Sequence, residues 1–115
     1  MRVFLSVVSA AVICLGTAQA HACAPMQRLA QEHAKSMAER NSMDHAGFED
    51  RARRGAKAEN VAVARTHAEA MAMWAASPPH ASNMALPGCK GVASAASRSG
   101  ARYWAMEIAK TGRVR

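Results

Sequence analysis

Aromatic residues are scarce in this chain: two Trp, one Tyr and two Phe among 115 residues. Stacking platforms for nucleic-acid bases are therefore few, and Trp74, Tyr103 and Trp104 fall where core residues are expected. Cysteine is scarce too, three in all and never as C-x-x-C, which removes support for thiol-redox catalysis. Acidic residues are outnumbered, eight Asp and Glu against fifteen Lys and Arg, for a formal charge of +7. That balance favours anionic partners such as lipid headgroups or envelope polyanions, and it argues for solubility and loose surface association before nucleic acid. Internal repeats, a linker and a G-x-S-x-G elbow are absent, so a second domain and a serine-hydrolase nucleophile have no support.

What is present begins with a leader. Arg2 supplies a positive start, Val3 to Leu15 form a nearly unbroken apolar run, and Ala18-Gln19-Ala20 places small residues at the two cleavage-defining positions. Residues 1–20 read as a secretory signal peptide, too short for a membrane span. The flanks of Cys14 and Cys23 argue against lipid attachment at either. Residues 21–115 then form one compact domain whose charge falls from +7 to +6 as Arg2 leaves. A secreted or periplasmic location follows, with no transmembrane segment in the mature chain. In such an oxidising compartment Cys23 and Cys89 read as one disulfide, the alternative being two separately buried thiols. Cleavage after Ala20 would expose His21, whose amine and imidazole can chelate Cu(II); cleavage after Ala22 would remove that chelate.

Pro25 suits a first helical turn, and Met26, Leu29, Ala30, His33 and Met37 recur at helical spacing as far as Arg40. Residues 41–57, with Gly47, Gly55 and the charge cluster Glu49-Asp50-Arg51 and Arg53-Arg54, read as irregular. Thr66 can N-cap a helix carrying Ala68, Met71, Ala72 and Ala75, with Glu69 placed for a capping box. Ser77-Pro78-Pro79 breaks that helix and opens a short third one bearing His80, Asn83 and Met84, which Pro87-Gly88 stops. Gly91 to Ala96 and Ala101 to Ala109 read as two strands around Ser97-Arg98-Ser99-Gly100. In the second strand Tyr103, Ala105 and Glu107 face one way, and Arg102, Trp104, Met106 and Ile108 the other. Residues 110–115 read as a frayed basic tail.

Four blocks carry the functional signal. They are Asp44-His45-Ala46-Gly47, Glu59-Asn60-Val61-Ala62, Trp74 through Ser77-Pro78-Pro79-His80 to Asn83, and Tyr103-Trp104-Ala105-Met106-Glu107-Ile108. In order and approximate spacing they resemble the secreted CAP superfamily, also called SCP-like or pathogenesis-related-1-like domains, in a small bacterial form. The resemblance covers about residues 26–109. It implies an α+β fold: an α-β-α sandwich with a small antiparallel sheet, here minimal and lacking the family's usual first helix.

The resemblance also implies a cleft in which His45, Glu59 and His80 meet. Imidazole titrates near neutrality and binds zinc, and two His with one carboxylate form a common catalytic-zinc set, so Zn is the candidate metal. The competing reading is a structural hydrogen-bond network among the same three residues. A second glutamate prominent in eukaryotic members has no counterpart, because Ala75, Ala76 and Ser77 follow Trp74. Asn60, Ser77, Asn83 and Trp74 read as structural support for the cleft, Ser77 as a helix-capping hydroxyl. His67-Ala68-Glu69 with Pro87-Gly88-Cys89 echoes a zinc deaminase signature, but Val92 stands near the place of the second cysteine.

Three functions follow as expectations. The first is a non-enzymatic extracellular or envelope binding module, with a lipid or anionic envelope component as partner. A second is a metal-assisted hydrolase in which Glu59 acts on a water and a histidine serves as acid. The third is a basic membrane-active or defence protein, resting on charge alone.

Overall fold

The computed structural model describes residues 23–111; the leader, the copper chelate at His21 and the end of the basic tail lie outside the described residues. The order of elements is α1 (Ala24–Arg40), α2 (Phe48–Arg53), β1 (Ala56–Val63), α3 (His67–Ala75), α4 (Pro78–Met84), β2 (Lys90–Ala96) and β3 (Arg102–Ala109). The three strands form one antiparallel sheet in the order β1-β3-β2. The fold class is α+β, as expected.

Strand β3 is the middle strand, and every residue from Tyr103 to Ile108 is buried. Its alternation sorts the two faces as the sequence suggests. Tyr103 and Ala105 pack with Val61 and Ala93 against Ala30, Ala34, Met37 and Ala38 of α1. Trp104, Met106 and Ile108 pack with Ala62 against Ala70 and Trp74 of α3. Alanine at positions 30, 34 and 38 lies on one face of α1, and these short side chains let the helix lie close to the sheet.

Residues 41–57 are not irregular throughout, which corrects the sequence expectation. They hold α2 and the first residues of β1. The charge cluster concealed a helix of six residues whose N-cap is Gly47, at a φ of 80° that suits glycine; a Cβ there would meet the Arg51 guanidinium at 3.0 Å. Strand β1 escaped the sequence reading because Glu59 and Asn60, both buried, interrupt its apolar pattern.

Each outer edge of the sheet is closed by side chains. The Gln27 amide donates to Val92 O at 2.7 Å and accepts from Val92 N at 3.0 Å, as a neighbouring strand would. On the β1 side, Trp74 Nε1 donates to Val61 O at 3.0 Å. Where α1 meets β2 the backbones nearly touch: a Cβ on Gly91 would collide with the backbone of Met26 and Gln27. The Cys23–Cys89 disulfide ties the same corner, so the pairing expected from the cysteine count is present.

Helix α3 is N-capped as expected, Thr66 Oγ1 accepting from Glu69 N at 3.1 Å. The Glu69 carboxylate turns to Arg65 Nε at 3.4 Å. No helix among the described residues is long and apolar enough to cross a membrane.

Candidate functional site

Glu59 on β1 is opposite Glu107 on β3, so two carboxyl groups share one register of the sheet. Three further groups converge on them: His33 from the middle of α1, His45 from the loop after it, and Arg51 from α2. Arg51 holds Glu59 with two nearly parallel hydrogen bonds, Nε to Oε2 at 2.6 Å and Nη2 to Oε1 at 3.0 Å. Its Nη1 donates to Ala46 O at 2.9 Å, fastening the loop that carries His45. His45 Nδ1 donates to Glu59 Oε1 at 2.8 Å. The Glu59 side chain is 1% exposed and that of His45 55%, so the contact joins the buried cluster to the surface.

His33 Nε2 lies 2.7 Å from Asp44 O, and a carbonyl only accepts, so this nitrogen carries the proton. Burial holds the imidazole below its ordinary pKa and keeps it neutral, against the raising influence of nearby Glu59. Burial also pushes the Glu59 carboxyl up, but the neighbouring protonated Glu107 and the hydrogen bonds from Arg51 and His45 more than offset it and leave the group ionised. Glu107 goes the other way. Burial and the neighbouring Glu59 carboxylate push its pKa up to about 10, so it stays protonated, and neither of its oxygens has a hydrogen-bond partner among the described residues. The core of the cluster therefore holds one cation, one anion and two neutral groups.

Glu107 loses its proton at about 4.5 when unfolded and near 10 when folded. Its contribution to stability is full below the first value and is lost as pH rises toward the second. Glu107→Gln keeps the shape of a protonated glutamic acid without that dependence. The parent loses about 1.4 kcal/mol for each pH unit above the unfolded value, so the variant is expected to be more stable than the parent by several kcal/mol at pH 8 and equal to it near pH 4. Urea unfolding at the two pH values measures this, and a variant weaker at pH 8 would mean that Glu107 is ionised in the folded chain.

The other sequence-derived residues lie to one side. His80 makes no hydrogen bond or ion pair to His45 or Glu59 among the described residues; its Nδ1 is 2.9 Å from Ser77 Oγ. Ser77 stands at the N-cap of α4, but its hydroxyl meets that imidazole rather than a backbone amide, which corrects the capping expectation. Asn60 Nδ2 donates to His80 O at 3.1 Å, and Asn83 Nδ2 to Asn60 Oδ1 at 2.9 Å. These two amides fasten α4 to β1. A groove of about 290 Å³ lined by His45, Phe48, Lys57 and Asn83 opens over Glu59.

This fold and the four sequence blocks agree with a family match: the chain matches the CAP family, the cysteine-rich secretory protein family, over residues 24–108. It belongs to the CAP family. No curated protein and no solved structure matches it.

Within this CAP domain the donor set does not fit a zinc ion held by His45, Glu59 and His80. Both Glu59 oxygens face a guanidinium, which a divalent cation would have to displace, and His80 is turned to Ser77. Among the described residues no group of three or more His, Cys, Asp and Glu side chains could hold a metal ion.

Sequence reasoning missed His33, Arg51 and Glu107 as members of the cluster. For His33 and Glu107 the signal was there, since each is a polar residue on the buried phase of its element. Arg51 had none, being one charge in a run of charges.

Proposed function

We propose that this CAP-domain protein is exported and acts as a non-enzymatic binding module, recognising an anionic envelope component or lipid headgroup at the groove beside His45. The saturation of Glu59 supports this most directly. With two bonds from Arg51 and one from His45, a depressed pKa and a buried position, the carboxylate is poorly placed to take a proton from water. Its role is to hold His45 at the rim, where the imidazole edge and the exposed Lys57 face solvent beside the Phe48 ring. Those groups suit an anion with an apolar neighbour. Export is supported by the disulfide, which persists only in an oxidising compartment, and by the leader-like residues 1–20.

Co-sedimentation with vesicles containing phosphatidylglycerol tests the reading. Protein exported from an expressing bacterium is expected to pellet with anionic vesicles and not with phosphatidylcholine, and less so at high salt. The His45→Ala/Lys57→Ala variant should lose most of this binding. Equal binding by the parent and the variant would exclude the groove. Mass spectrometry of the same sample shows whether the mature chain starts at His21 or Cys23.

The His45–Glu59 bond favours a second reading, in which a buried carboxylate orients a histidine whose exposed Nε2 serves as a general base in hydrolysis. In that case His45→Ala abolishes turnover of an envelope peptide or polymer without unfolding the chain, whereas a binding module has no turnover to lose.

A further inference from the structure

A concavity with a mixed polar lining lies away from His45, at the other end of β3. It lies between the C-terminal turn of α1 and the β2–β3 turn, with a volume of about 620 Å³, against about 290 Å³ for the groove over Glu59. Along β3 it sits at the Tyr103 end, four residues or roughly 13 Å from Glu107.

Its polar wall is ordered by a chain of hydrogen bonds. Asn41 ends α1 in the left-handed conformation, φ 50°, the only non-glycine residue with positive φ among the described residues. Its Oδ1 accepts from Tyr103 Oη at 3.0 Å and from Ser99 Oγ at 3.2 Å. Ser99 has one hydroxyl proton and gives it to Asn41, so the 2.7 Å contact between the serines must be donated by Ser97. All three hydroxyl protons are thus committed. Left unused on these lining residues are the Asn41 amide NH2, lone pairs on both serine oxygens and the Arg98 guanidinium, which has no hydrogen bond or ion pair among the described residues. The Glu39 carboxylate adds an acceptor, its nearest cation being Lys35 at 3.9 Å. The methyl groups of Ala38 and Ala96 complete the lining.

We propose that this cleft binds a neutral oligosaccharide of two or three sugar units. Its lining residues offer both donors and acceptors, and sugar hydroxyls both donate and accept, so each can meet a partner of the complementary kind. One guanidinium and one carboxylate balance, which favours a neutral ligand over an anionic one. The volume falls within the range of small-ligand clefts. With no aromatic face for stacking, affinity is modest, with a Kd on the order of 1 mM. The site does not depend on the reading of the His45 groove.

Titration of the 15N-labelled protein with triacetylchitotriose and, separately, maltotriose, followed by amide chemical shifts, tests the proposal. The expected result is saturable shifts confined to residues around 38–41 and 96–99 with at least one of the two sugars. Arg98→Ala, at an exposed turn position, and Ser97→Ala/Arg98→Ala should each keep the folded spectrum, the double variant weakening binding at least about tenfold, a loss of about 1.4 kcal/mol. Absence of shifts with both sugars at about 20 mM, some twenty times the expected Kd, would overturn the site. So would shifts centred on His45, or binding that a folded double variant retains in full.

Discussion

Replacing Arg51 with methionine is expected to destabilise the folded chain by about 3–5 kcal/mol, the usual consequence of removing one partner from a buried ion pair. The Arg51 side chain is 8% exposed and is the cation in contact with both Glu59 and Glu107. Without it an ionised Glu59 stays buried beside Glu107, and the loop anchored at Ala46 O comes loose. Urea unfolding followed by the fluorescence of buried Trp74 and Trp104 measures the loss. Two controls separate the charge from the packing. Arg51→Met/Glu59→Gln should recover part of the loss, because no ionised group is then stranded. Acid should narrow the gap as well. The Glu59 pKa is lowered in the folded parent, so its contribution is present above the ordinary carboxylate value and is lost as pH falls through the folded value. A deficit that stays constant as pH falls from 7 through the folded value would mean that Arg51 acts by shape alone.

Removal of the disulfide, Cys23→Ser/Cys89→Ser, is expected to cost about 4 kcal/mol in the chain-entropy account, because the bond spans 66 residues of sequence. The structure suggests how the loss is distributed. The N-terminus of α1 is held to β2 at one corner by three devices: the bond itself, the Gln27 amide on Val92 and the close approach at Gly91. Amide exchange should rise first at the start of α1 and along β2, and last in β3, which is covered on both faces. Uniform loss of protection would show that the corner unfolds only with the whole domain. The reduced parent should behave like the variant.

Buried histidine adds to acid sensitivity. Because burial lowers the His33 pKa, its contribution is present above about 6.5 and is lost as pH falls through its folded value. His33 and Glu59 thus weaken the folded chain in the same direction on acidification, while Glu107 weakens it in the alkaline direction.

Much of this was legible in the residues. The 3.6-residue recurrence from Met26 to Met37 defined α1, the Thr66 and Ser77-Pro78 signals set the starts of α3 and α4, and the alternation from Arg102 to Ile108 sorted the two faces of β3. Local pattern suffices there because helix and strand periodicity depend on which side of one element is buried. Strand β1 and helix α2 escaped for the same reason: one buries Glu59 and Asn60 where apolar residues would have announced it, and the other lies in a run of charges.

The candidate site divides along the same line. The sequence by itself determined the family blocks, the inward phase of His33 and Glu107, and the presence of His45 and Glu59. Only the tertiary structure decided that Arg51 closes on Glu59, that Glu107 stands protonated beside it, and that His80 turns to Ser77. Those outcomes depend on which elements pack together, and on the low-dielectric interior that this packing creates, where a charge persists only if a partner from elsewhere in the chain reaches it.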